Sequence, residues 1–242
     1  MRTLNFAKRN LKEIIRDPLS IIFAILLPLF LLFIFQQFEI PNEAYNIENF
    51  TPGIIIFSFS FITLFTATLV AKDRSTSLIT RLCASPMKTR DYILGYTLSV
   101  LPIVILQNVL FFITAMLLGL SFSVNILFSI LVSVPVSVLF ILLGILIGCF
   151  TTDKSASGVS SIIVQLVAFT SGMYFSNDMI GKGFEIVCKV LPFSNCLDIV
   201  KGILIKDYTD LLVPVVIVIA YILVISLLTS VLFSKKLKSD NK

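Results

Sequence analysis

Apolar residues fall into six runs separated by polar segments, at 19–35, 53–71, 92–118, 126–150, 156–175 and 211–233. None of these runs contains Lys, Arg, Asp or Glu. A spanning helix needs about 20 mostly apolar residues, because each rises ~1.5 Å across a ~30 Å hydrocarbon core. The pattern therefore predicts an all-α chain with six transmembrane helices. The first run is read as a retained span rather than a secretory signal. A charged 17-residue segment precedes it, and Gln36-Gln37-Phe38-Glu39 offers no small-residue cleavage site.

The polar segments carry structure of their own. In the N-terminal arm, Leu4, Ala7, Leu11, Ile14 and Ile15 recur at helical spacing among Lys8, Arg9, Lys12, Glu13 and Arg16. This predicts an amphipathic helix over residues 1–17, suited to an anionic membrane surface and broken at Asp17-Pro18. In the loop 72–91, Ile79, Leu82 and Cys83 form an apolar stripe beside Arg81; Pro86 ends it, and Ser75-Thr76 can cap its start. That loop reads either as a short helix presented to a partner or as an ordinary charged connector. In segment 176–210, two apolar clusters flank Pro192 and are each too short to span. They predict two short helices that dip into the membrane or cap the bundle. A disulfide between Cys188 and Cys196 is open on this reading.

Composition narrows the class. Of 242 residues, 57% are apolar and 14% charged, with a mean hydropathy of +1.01. Soluble domains carry about 25% charge, so this chain has too little to cover a water-facing surface. No histidine is present, which removes histidine general-base chemistry and His-containing metal sites. The net charge of +5 does not argue for nucleic acid, because in a membrane chain the location of the basic residues decides their meaning. Fifteen of the 19 Lys and Arg residues lie in the N-terminal arm, the 72–91 loop, the 151–155 turn and the tail. Basic residues mark cytoplasmic segments. The expected location is thus the cell membrane, with several spans and both termini cytoplasmic, which an even number of spans also requires.

Within the runs, Ser129, Ser133, Ser137, Gly144 and Gly148 follow small-xxx-small spacing. Such rows let helix backbones approach closely in lipid, and the fourth and fifth spans are expected to pack on each other. Gln107, Asn108 and Gln165, with the hydroxyls Ser60, Thr63 and Thr66, either pack between helices or line a polar path. Phe57, Phe61 and Phe65 form one stripe whose partner the sequence leaves open between lipid and substrate, with lipid the more expected contact. No acid lies in a span, so an ion-driven carboxylate relay is not indicated. No phosphate-binding G-x-x-x-x-G-K-[ST] run occurs.

Taken together, this pattern resembles the membrane subunit of an ABC-2 type transporter, over nearly the whole chain. The residues that carry the resemblance are Asp73, Arg74, Thr76, Arg81-Leu82, Ser85-Pro86, Arg90 and Leu94-Gly95. A second stretch runs from Ser171-Gly172-Met173 through Leu191-Pro192 to Asp198 and Lys201-Gly202. Two positions depart from the family pattern: Ser75 stands where a glycine is usual, and Met179-Ile180 replaces a proline-bearing stretch. The resemblance implies one transmembrane domain over 1–242: an N-terminal elbow helix, six spans, a cytoplasmic coupling helix in 72–91 and outer re-entrant helices within 176–210.

The resemblance also implies a role in an ATP-driven exporter. A separate ABC ATPase subunit would bind ATP and magnesium, with no cofactor or catalytic residue in this chain. It would be gripped by Asp73, Arg74, Ser75, Thr76, Arg81, Leu82, Pro86, Lys88 and Arg90. A second membrane subunit, identical or a sister chain, would complete the path, with membrane lipid around it. Drugs, peptides or lipid-like molecules are the implied cargo. The alternative is a non-transporting membrane scaffold that recruits a cytoplasmic partner; an enzyme acting on lipid would want clustered acids or histidines, which are missing.

Overall fold

A computed structural model describes residues 2–38, 43–76, 88–174 and 181–239. The described residues form helices and no strand. The elements are α1 (Arg2–Ile15), α2 (Pro18–Gln37), a 3₁₀ turn (Glu43–Tyr45), α3 (Ile47–Ser75), α4 (Thr89–Leu117), α5 (Val124–Phe150), α6 (Asp153–Thr170), α7 (Lys182–Val190), α8 (Pro192–Ile205) and α9 (Leu212–Ser239).

Among the described residues, four helices are long and apolar enough to cross a membrane: α3, α4, α5 and α9. Helix α2 is 20 residues long, Pro18–Gln37, and contains the whole run 19–35. Helix α6 stops at Thr170 and spends its first turns on Ser155, Ser157, Ser160 and Ser161, which dilute its apolar face. The run 156–175 thus forms a shorter and more polar helix than its sequence predicts.

Helix α3 is the axis of the bundle. Within its most apolar window 83% of residues are buried, against 17% for α9 at the periphery. It packs on α2, α4, α5, α6 and α8. This placement overturns the lipid-facing expectation for its phenylalanines. Phe57 and Phe65 are buried and Phe61 is half-buried, with Phe57 and Phe61 edge-to-face at 5.3 Å. Periodicity alone does not distinguish protein from lipid, since both are apolar.

The row of small residues on α5 also meets a different neighbour. A Cβ on Gly144 would lie 2.6 Å from the Thr63 carbonyl oxygen, and one on Gly148 2.7 Å from that of Ala67. The close approach is therefore to α3. Helix α6 touches α5 only lightly and leans on α3 instead.

At the end of the bundle opposite the 72–91 loop, α7 and α8 are two short helices joined at Leu191-Pro192, as the apolar clusters predict. Pro192 opens α8, where its missing N–H costs nothing. Asn195 donates to the carbonyls of Lys189 (3.0 Å) and Leu191 (2.9 Å), and Ser194 donates to that of Cys188 (2.6 Å). These bonds close the end of α7. Helix α8 is wedged between α3, α5 and α9, with Phe193 against Phe140 at 5.8 Å. Cys188 and Cys196 are both buried free thiols, so the bridge left open by the sequence is not formed. Burial pushes both thiols above their ordinary range.

Candidate functional site

The basic ends of α1, α3, α4 and α5 meet around Asp73. Its carboxylate is 1% exposed and accepts both Arg9 Nη1, at 2.7 and 2.8 Å, and the Tyr96 hydroxyl at 2.9 Å. A buried charge needs such partners, because an unpaired one costs several kcal/mol, on the order of 3–5. Arg9 comes from α1 and Tyr96 from α4, so a single carboxylate ties three helices together. One turn along α1, Glu13 accepts from Lys72 Nζ at 2.7 Å. That hydrogen bond, with the positive charges of Lys72, Arg9 and Arg16, holds the Glu13 carboxyl below its ordinary range.

The packing beneath these bonds is aromatic. Phe6 of α1 meets Tyr92 at 5.6 Å and Tyr96 at 5.0 Å, edge-to-face with both. It lies over Gly95, where any side chain would collide with its ring. Ala7, Asn10 and Ile14 complete the buried face of α1.

Arg74 points the other way. Its Nη1 donates to the carbonyls of Gly148 (2.9 Å), Cys149 (2.6 Å) and Thr151 (3.2 Å). The last carbonyls of a helix have no partner within it and favour a cation, so Arg74 closes the C-terminus of α5. Ser75 and Thr76 hydroxyls donate back to the Lys72 carbonyl at 2.9 and 3.0 Å, and Ser75 belongs to α3. Thr76 is the C-cap of α3; the helix that Ser75-Thr76 were expected to start falls at 77–87, outside the described residues. Lys88 precedes α4, its N–H donating to Asp91 Oδ2 at 2.9 Å, and Arg90 is exposed in the first turn. Arg81, Leu82 and Pro86 lie outside the described residues, as do Ile79 and Cys83.

Of the candidate polar-path residues, five are fully buried in the chain and one is not. Ser60 and Thr66 donate to carbonyls of their own helix, and Thr63 donates across to the Phe140 carbonyl of α5 at 2.9 Å. Gln107 donates to the Ala24 carbonyl of α2 at 3.3 Å, leaving its Oε1 without a partner, and Asn108 has neither amide atom paired. Gln165 is exposed on α6, on one face with Ser157, Gly158 and Ser161. The structure does not gather these six into one lining. Of the α5 row, Ser133 and Ser137 bond their own helix, while Ser129 donates to the Val200 carbonyl of α8 at 3.5 Å.

Arg9 and Tyr96 are absent from the sequence-predicted set. The available signal was Asp73 itself, an acid bounding an apolar run in a loop where Asp91 is the other acid among five basic residues.

A bundle of helices, four of them among the described residues long and apolar enough to cross a membrane, is the architecture of an integral membrane protein. The model of the ABC-2 type transporter family matches residues 3–205, from α1 through α8. The chain belongs to that family and is a transmembrane component of an ABC transporter. A comparison with curated proteins finds no match.

Proposed function

We propose that this chain is one of two membrane subunits of an ATP-driven exporter, with the end around Asp73 facing the cytoplasm and coupled to a separate ATPase. On this reading the chain is one transmembrane domain of six spans with both termini inside. The helix 1–17 lies on the membrane, the 72–91 loop meets the ATPase, and 176–210 lies at the outer face. ATP and magnesium are held by the partner. The cargo is amphipathic or lipid-like.

The observation that carries this reading is how the 77–87 loop is mounted. Its leading end is tied through Asp73 to α1 and α4 and through Arg74 to the end of α5. A push on the loop would therefore move four helices together, as rigid-body rocking requires. Coupling needs contacts that differ between two states of the ATPase; Lys88 and Arg90 are exposed beside the loop, and Arg81 is the basic residue within it.

Arg81→Glu tests the assignment. The variant should insert and melt as wild type, co-purify with the ATPase less well, and lose transport while ATP hydrolysis continues. Transport at the wild-type rate would overturn the role of the loop. A scaffold would instead bring down a soluble partner that does not hydrolyse nucleotide.

A further inference from the structure

The surface of α1 is divided into three sectors, and only one of them was spoken for by the fold. Phe6, Ala7, Asn10 and Ile14 are buried against the bundle. Beside them runs an exposed apolar row, Leu4 at 54% and Ile15 at 59% exposure, with half-buried Leu11 between. The third sector carries Lys8, Lys12 and Arg16, spaced four residues apart and all exposed. Within the described residues the side chains of these three make no ion pair or hydrogen bond, whereas Arg9 and Lys72 next to them are both engaged. A shallow trough of about 410 Å³ follows the cations, lined by Asn5, Lys8, Arg9, Lys12, Glu13 and Arg16.

An apolar row alone would fit lipid or protein, and cations alone would fit any acidic partner. Their adjacency is more selective. Leu4, Leu11 and Ile15 can enter the acyl boundary while lysine and arginine stems reach along it to the headgroups. The helix is held at the level of the basic ends of α3 and α4, where Arg90 stands directly before the exposed, lipid-facing Leu94 and Leu98. With α3 and α4 crossing the membrane as proposed above, that level is where headgroup phosphates lie. An acidic protein surface would cover the cations but leave the apolar row against water.

We propose that Lys8, Lys12 and Arg16 form a docking surface for anionic phospholipid headgroups. The lipid stabilises α1 against the bundle, and through the Arg9–Asp73 pair it stabilises the base of the 77–87 loop. The inference rests on the sidedness proposed above but not on transport or on the ATPase. It is therefore tested on this chain alone, and the loss of either claim leaves the other standing.

The experiment is competition between phosphatidylglycerol and phosphatidylcholine of equal chain length for the purified full-length chain, read as the ratio of bound lipids by native mass spectrometry. Phosphatidylglycerol should be enriched. Each of Lys8→Gln, Lys12→Gln and Arg16→Gln should lower its preference roughly fivefold, the effect of one basic residue at an anionic surface. Lys182→Gln at the far end should change nothing. The wild-type preference should also collapse between low and high salt, a readout that needs no variant to fold. Equal binding of the two lipids by wild type, or preference unchanged in the three glutamine variants, would overturn the proposal. So would loss of ATPase binding, with lipid preference intact, in those same variants; the cations would then serve a protein partner.

Discussion

Asp73 is held by donors from two helices that lie far from it in sequence, and it is almost fully shielded from water. Asp73→Asn keeps the shape and an acceptor for Tyr96 but leaves Arg9 facing a neutral group. Because Arg9 is 37% exposed and can turn to water, the loss should sit below that of a fully buried pair, at about 1–3 kcal/mol. Thermal melting of the purified chain checks it; an unchanged midpoint would mean that the pair does not hold α1. Glu13 gives the same junction a pH dependence. Its carboxyl lies below the ordinary range in the folded chain, first because of the Lys72 hydrogen bond. A depressed carboxyl contributes stability above its unfolded value and loses it as pH falls through the folded one. The melting midpoint should therefore drop on the acid side of the ordinary glutamate range, and Glu13→Gln should lower the neutral-pH midpoint while flattening that drop. None of these partnerships was legible in the sequence. Arg9 and Asp73 are 64 residues apart, and no periodic pattern connects a surface helix to the end of a span.

At the scale of elements, the apolar runs were legible and their neighbours were not. Runs 53–71 and 126–150 lie inside observed long helices, and 92–118 and 211–233 lie inside theirs but for one residue each, because a helix that buries its backbone bonds in lipid needs an unbroken apolar length. The break at Pro192 was legible for a local reason, the missing N–H. Which helix the α5 glycines face was not, since small-xxx-small spacing marks close approach without naming the partner. The two kinds of glycine can be separated by substitution. Gly144→Ala drives a methyl into the Thr63 carbonyl and should cost about 1–3 kcal/mol. Gly158→Ala on α6 meets nothing within 4 Å, and alanine's better helix propensity should leave the isolated chain unharmed or stabilised by up to ~1 kcal/mol. Equal effects in paired melting curves would refute the assignment of α5 to α3. Amphipathic α1 was half legible: its helical period was plain, but the division of its apolar residues between bundle and exposed row required the packed structure.

For the whole molecule, the face of α6 that carries Ser157, Gly158, Ser161 and Gln165 is exposed in the single chain. On the six-span reading α6 lies at membrane depth, where an amide and two hydroxyls are poorly suited to hydrocarbon, and small residues invite a second backbone. By contrast, the exposed face of α5 at Leu127, Phe128 and Leu131 is wholly apolar and suits lipid. If a second copy covers α6, a two-fold axis brings each residue near that axis against its own counterpart. Ser161→Cys, in a background with Cys83→Ser, should then cross-link in membranes to a species of twice the 26.9 kDa chain mass. The remaining Cys149, Cys188 and Cys196 are buried and should not react. Leu131→Cys should give no such species. A sister permease in place of a second copy would link Ser161→Cys to a chain of a different mass, because the symmetric partner is missing. Absence of any cross-link at Ser161, with the chain folded and inserted, would remove α6 from the subunit interface.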